Sequence, residues 1–235
     1  MKNLVIVAHP DDEILGMGGT ILKHRQEGDL VRIIILATGI TSRRKSNNKN
    51  SFEYPSKENS TEIENEIIQL REDAKNAGNV LKTNDIIFHN FPDNEMDSIP
   101  LLEITKIIEK EIDKFKPDRV YTHHYNDLNV DHRIVYNATL TACRPINFKV
   151  KELYSFEVLS STEWNYPIRF QPNIFVNISK QLEKKLKAMS MYKNEIRKFP
   201  HPRSLENMKN VASRWGSIMG SNYAEAFELI RKLES

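Results

Sequence analysis

The chain has 235 residues, 34 basic and 32 acidic side chains, a formal net charge of +2 and a single cysteine, Cys143. That length supports one α/β domain with a sizeable core, and the near balance of charge offers no electrostatic footprint for nucleic acid or an anionic membrane. One cysteine excludes an internal disulfide and a cysteine-rich zinc site, and its neighbours Leu140, Thr141 and Ala142 mark it as a small buried apolar residue.

Leu4-Val5-Ile6-Val7-Ala8 is a short, β-branched run suited to a buried parallel strand, and Ile14 to Glu27 reads as a helix. His9-Pro10-Asp11-Asp12-Glu13 falls between them, at the carboxyl end of the strand, where open parallel sheets bind their ligands. Val31 to Leu36 predicts the second strand. Gly39 to Ser60, rich in Ser, Asn, Lys and Arg and carrying Arg43-Arg44-Lys45, predicts a solvated loop that lies over the site as a lid. Thr61 to Leu81 predicts a helix with the stripe Ile63, Ile67, Leu70 and Ala74. Asp85 to Phe88 then predicts a strand, Leu101 to Phe115 an amphipathic helix closed by Lys116-Pro117, and Arg119 to Thr122 a fourth strand. A polar run from His123 to His132 follows, and Val130 to Cys143 predicts a helix.

Beyond Pro145 the pattern weakens. Leu153 to Val158 and Asn173 to Ile178 read as strands, and Ser179 to Tyr192 as a helix capped by Ser179. Pro200-His201-Pro202-Arg203-Ser204 breaks the chain before two expected helices, Leu205 to Trp215 and Tyr223 to Leu233. The alternation of strand and helix predicts an α/β fold: a single-domain, Rossmann-like parallel sheet with helices on both faces. Its core covers about residues 1–143, and the strands and helices of 150–235 complete the same domain. No apolar segment reaches the length of a membrane span and the first strand follows no leader pattern, so membrane insertion is not expected and a cytoplasmic location is.

The chemistry gathers at two strand ends. The first offers His9, Asp11 and Asp12; the fourth offers His123, His124, Asp127, Asp131 and His132. Imidazole and carboxylate together suit a divalent transition metal, and two adjacent carboxylates diverge at a strand-to-helix turn. One of Asp11 and Asp12 is therefore expected on the ion while the other is left for proton transfer to and from a metal-bound water. Asp131 is expected to orient an imidazole from behind. Each motif alone has an ordinary reading, since Asp11 or Asp12 can cap the first helix and Asp131-His132 can simply start another. Both motifs at strand ends, with complementary ligand types, favour the metal.

His9-Pro10-Asp11-Asp12-Glu13 together with Asp131-His132-Arg133 resembles the PIG-L (LmbE-like) N-deacetylases, which remove acetyl groups from N-acetylglucosamine-type sugars. The resemblance runs from Asn3 to about Cys143, with Arg71-Glu72, Phe91-Pro92-Asp93 and Lys116-Pro117-Asp118 in order. It implies His9, Asp12 and His132 as ligands of Zn2+ (or another divalent metal such as Fe2+), Asp11 as general base, and Arg71 and Asp93 as holders of the sugar. One position departs from the family: Asn129 stands where many relatives carry a histidine that assists the oxyanion or the leaving amine. An amide donates a hydrogen bond but delivers no proton, so the acid role moves to His124, His123 or Asp127, or Asp11 serves as both base and acid.

Three further readings compete. Gly16-Met17-Gly18-Gly19 resembles part of a dinucleotide fingerprint, which would make the chain a nucleotide-binding module. Its glycines fall inside the helix, however, and carboxylates at that helix start would repel a pyrophosphate. Two histidines and one carboxylate also describe non-haem iron oxygenases, which give Asp11 no role. A hydrolase of another small acylated amine would use the same residues. The expected partner is a small N-acetylated sugar or sugar conjugate, with a homo-oligomer left open. Outside the two ligand loops, His24 and His89 are expected at the surface or partly packed. His201 offers a late-loop residue within reach of the site, and Trp164, Tyr166 and Phe170 offer either a sugar wall or aromatic core.

Overall fold

The computed structural model describes residues 1–40, 60–146, 150–167 and 169–234. The expected lid and the Arg43-Arg44-Lys45 cluster fall almost wholly outside them. The strands are β1 (Lys2–Val7), β2 (Leu30–Ala37), β3 (Ile86–Phe91), β4 (Arg119–His123), β5 (Glu152–Phe156), β6 (Ile174–Asn177) and β7 (Ala224–Lys232). The α-helices are α1 (Asp12–Gln26), α2 (Ser60–Val80), α3 (Leu101–Phe115), α4 (Val130–Ala142), α5 (Leu182–Met189) and α6 (Leu205–Met219).

One seven-stranded sheet runs in the order β3-β2-β1-β4-β5-β7-β6. β1 to β5 pair in parallel, as the α/β reading expects, and β7 adds an antiparallel section between β5 and β6. Successive residues of β1 serve opposite faces. Leu4 and Ile6 pack in one core with Ile104, Ile108 and Ile112 of α3, while Val5 and Val7 pack in the other with Ile14 and Ile21 of α1 and Leu70 of α2. Both faces being covered, the strand reads as continuously apolar. β1 is flanked by β2 on one side and β4 on the other, so the strand order reverses there and a crevice opens beyond the carboxyl ends of β1 and β4.

The glycines of α1 serve packing. A Cβ on Gly16 would sit 2.2 Å from the Phe156 ring, and one on Gly19 would sit 2.8 Å from Ile178. The helix is interrupted at Met17 (φ −147°), and the amides of Gly19 and Thr20 are met at 2.9 and 2.6 Å by the Glu225 carboxylate of β7. Those amides would otherwise be buried without a partner. Lys185 of α5 neutralises Glu225 at 2.6 Å.

The expected helix over Tyr223–Leu233 is instead strand β7. Its Ala, Glu and Leu residues favour a helix in isolation, but two flanking strands overrule so weak a preference. Glu225 and Glu228 both have buried work in the strand, Glu228 receiving Ser155 Oγ at 3.1 Å. The helix expected from Ser179 begins later, at Leu182 after Gln181, and no described helix is long and apolar enough to cross a membrane.

Candidate metal centre

β1 ends at Val7, and the turn that follows brings Asp11 to a φ of 104°, a left-handed conformation unusual outside glycine. The Asp11 amide donates to Glu13 Oε2 at 3.1 Å, and Tyr192 Oη donates to the other oxygen of Glu13. Burial pushes the Glu13 carboxyl up to about 7. This buried pair fixes the turn that throws the Asp11 and Asp12 side chains in different directions.

Three donor atoms converge. His9 Nδ1 and His132 Nε2 are 3.2 Å apart, His9 Nδ1 and Asp12 Oδ2 3.4 Å, and His132 Nε2 and Asp12 Oδ2 3.3 Å. Donors at about 2.0–2.1 Å from a tetrahedral ion stand about 3.3 Å apart from one another, so the triangle fits a zinc-sized cation. Asp11 is outside it. The far side of each imidazole meets a carboxylate: His9 Nε2 faces Asp93 Oδ1 and Asp131 Oδ2, both at 3.0 Å, and His132 Nδ1 faces Asp127 Oδ1 at 3.1 Å. Such partners fix ring orientation and raise ligand basicity. Asp131 is itself held by the amides of Asn94 at 2.6 Å and Met96 at 3.0 Å. Asp127 accepts from Ser161 Oγ, Thr162 Oγ1 and the Asn129 amide.

The charges follow from this crowding. Burial opposes a proton on His132, yet Asp12 and Asp127 overcome it and raise the imidazole to about 9. Burial likewise opposes a proton on His9, and Asp12, Asp131 and Asp93 outweigh it. Burial disfavours the Asp12 anion, but His132 and His9 hold its carboxyl well below the usual range. Asp11 goes the other way: burial first, and then the Asp12 charge, raise its carboxyl well above ordinary. Two neighbouring acids therefore differ in character, one an anion among imidazoles and the other a carboxyl that readily takes a proton.

A cavity of about 390 Å³ opens on this centre, walled by His9, Asp11, Asp12, Asp93, Asn129 and His132 on one side. Ser160, Glu195, Arg197 and Arg203 wall the other. Several expected site residues do not reach it. Arg71 donates to the His89 carbonyl at 2.9 Å and to Asn90 Oδ1, with its guanidinium 5.3 Å from the Phe88 ring, so it braces β3 and is not among the described residues that wall the cavity. His124, one residue past β4, is buried with Nδ1 2.9 Å from Glu228. Asp127 is behind His132. Neither is positioned to protonate a leaving group in the cavity.

His123 stacks on His132 with ring centroids 3.9 Å apart, and its Nε2 accepts the Ala8 amide at 2.8 Å. Burial and the His132 charge bring it down to about 3, so it stays neutral with its lone pair occupied. Asn129 does line the cavity, but as the cap of α4: its Oδ1 accepts the Asp131 amide at 2.8 Å and its Nδ2 donates to Asn94 Oδ1 at 2.9 Å.

Elsewhere, His24 is buried between Asp29 at 2.9 Å and Tyr121 Oη at 3.1 Å, not exposed. Burial pushes the Cys143 thiol up to about 12, which removes it as a nucleophile. Trp164 and Tyr166 are exposed and Phe170 packs edge-on to Trp215, so none of the three walls the cavity. His201 accepts the Arg203 amide on Nδ1 at 3.1 Å, and it is Arg203 that enters the cleft. Glu195, Arg197 and Arg203 have no motif of their own; the one signal was the break at Pro200–Ser204.

Comparison with known proteins follows the same outline. The chain is 28% identical over 198 residues to the uncharacterized deacetylase YaiS of Escherichia coli, covering 81% of this chain and 90% of that protein. The N,N'-diacetylchitobiose deacetylase of Pyrococcus horikoshii superposes with a TM-score of 0.74 at 22% identity, over 97% of this chain and 83% of that one. GalB of Pseudomonas putida, a 4-carboxy-2-hydroxymuconate hydratase, superposes with a TM-score of 0.72 at 19% identity, over 100% of this chain and 98% of that one. A deacetylase and a hydratase sharing one fold means the side chains must decide the reaction. The family model described as GlcNAc-PI de-N-acetylase matches residues 4–143, the segment that carries every donor atom of the centre, and the chain belongs to the PIG-L family.

Proposed function

We propose that this chain is a divalent-metal-dependent N-deacetylase acting on N-acetylated amino sugars of the N-acetylglucosamine type, with zinc as the working metal. The observation that carries the reading is the near-equilateral triangle of His9 Nδ1, Asp12 Oδ2 and His132 Nε2, with a second acid, Asp11, beside it and outside it. A bound divalent ion supplies Lewis acidity and brings water toward a pKa of about 7.

The remaining chemistry belongs to the protein. Asp11, buried and inclined to hold a proton, takes one from the attacking water and hands it to the departing nitrogen, so that amide and water become acetate and a free amine. The other cavity groups suit that second transfer less well: Asn129 carries no transferable proton, the imidazoles of His9 and His132 face the ion, Asp93 backs His9, and Glu195 is paired with Arg203. Asp93, Asp127 and Asp131 keep the two imidazoles turned toward the ion. Carboxylates crowding the start of α1, and glycines packed under Phe156 and Ile178, speak against a pyrophosphate-binding role. The polar cavity, open beside Asp11, suits a hydroxyl-rich substrate.

The test is an acetate-release screen over N-acetylated sugars, nucleotide sugars and glycosides, with zinc and with chelator. Zinc-dependent release from an amino sugar is the expected result. Saturable NAD binding without release, or release unaffected by chelation, would overturn the proposal.

A further inference from the structure

The cleft wall opposite His9, Asp12 and His132 carries an arginine that reaches Asp11. Arg203 Nη1 is 3.3 Å from Asp11 Oδ2 and 3.0 Å from Glu195 Oε2, and both acids are buried. Arg203 is the one cation touching the Asp11 carboxylate among the described residues. It belongs to the segment between α5 and α6, outside residues 4–143 that match the family.

The turn that presents it is locally braced. Its amide donates to His201 Nδ1, Ser204 Oγ caps α6 by accepting the Asn207 amide at 3.1 Å, and Asn207 Nδ2 donates to the Pro202 carbonyl at 3.0 Å. The motif His201-Pro202-Arg203-Ser204 is thus a rigid presenter of one guanidinium. Asp11 is gripped at both ends: Glu13 holds its backbone amide, and Arg203 holds its carboxylate.

We infer that Arg203 is a positioning residue for the reaction, holding the Asp11 carboxylate in its working rotamer toward the cleft, with Glu195 anchoring the guanidinium in turn. Without that contact the side chain is free to redistribute among staggered rotamers beside two other acids, Asp12 and Glu195. A misplaced base costs about 100-fold in turnover without altering how substrate binds. This inference rests on the deacetylase reading for its kinetic part only.

The experiment compares Arg203→Met, Arg203→Lys and Glu195→Gln with the wild-type zinc enzyme on an acetylated amino sugar that it turns over. Arg203→Met is expected to lower kcat about 100-fold with KM nearly unchanged and full metal content. Arg203→Lys, which keeps the charge but not the planar fork, should recover to within about tenfold of wild type. Glu195→Gln should fall between the two. In metal-free protein, Arg203→Met and Asp11→Asn should shift Tm non-additively. A wild-type kcat in Arg203→Met, a loss confined to KM, or additive Tm shifts would each overturn the inference. If Arg203→Met fails to fold, the kcat-against-KM split in Glu195→Gln decides it. If the wild type releases no acetate from any substrate, the deacetylase reading falls and the Tm cycle judges the Arg203–Asp11 contact on its own.

Discussion

The two walls of the cleft are built differently. The wall at the ends of β1 and β4 is made of acids and imidazoles that hold each other in fixed pairs, with His9 and His132 each backed by at least one carboxylate. The facing wall, from the loops after β5 and α5, carries Ser160, Glu195, Arg197 and Arg203 on connecting segments without regular structure. The first wall sits on a parallel sheet buried on both faces and suits an invariant chemical task. The second sits on loops, where a family can change what it accepts without disturbing the first wall.

The sharpest break of that contrast is His132→Ala. It should reduce bound metal, read by elemental analysis, and abolish metal-dependent acetate release. Asp11→Asn should leave metal content intact while lowering kcat by about 10³-fold, within the range for a general base; near-normal turnover would remove Asp11 from that role. Next comes the support beneath the first wall. Gly16→Ala drives a methyl into the Phe156 ring, a clash expected to cost about 1–3 kcal/mol and several degrees of Tm. Because Asp12 heads the same helix, weaker metal retention should accompany the loss.

The smallest effect on activity concerns Glu157, which accepts Trp215 Nε1 at 2.6 Å and whose carboxyl burial raises from 4.5 to about 7. A raised folded value means that the folded protein holds this proton more tightly than the unfolded chain does. The stabilisation is complete below about 4.5 and is lost as pH climbs through about 7. Glu157→Gln should therefore match wild type near pH 4.5 and exceed its stability at pH 8 by up to about 3 kcal/mol, as judged by thermal unfolding. Its activity should change little, since Glu157 is apart from the metal donors.

How far each wall was legible in the chain follows from how local its signals are. β1 with α1, and β4 with α4, are strand–turn–helix units in which apolar run, polar turn and helix lie within about thirty residues. Their ends, and the converging residues His9, Asp12 and His132, can be read without knowing the rest of the fold. Other features depend on partners remote in sequence. β7 has helix-favouring residues and becomes a strand because β5 and β6 flank it. Arg71 is expected at the substrate, and in the fold its guanidinium donates to the His89 carbonyl and Asn90 Oδ1 at the edge of β3. Asp127 and Asp131 are near neighbours in the chain, yet they back different imidazoles because α4 begins between them. Arg203 is 192 residues from Asp11, and no local pattern announces such a contact.

The twist of the backbone at Asp11 narrows what can replace it. A φ of 104° is tolerated by glycine and, with modest strain, by asparagine or aspartate, whereas longer or branched residues meet a steric penalty of about 1–2 kcal/mol. Replacing Asp11 by Asn or Gly can thus keep this loop intact. Installing a longer-reaching Glu there leaves that strain in the turn.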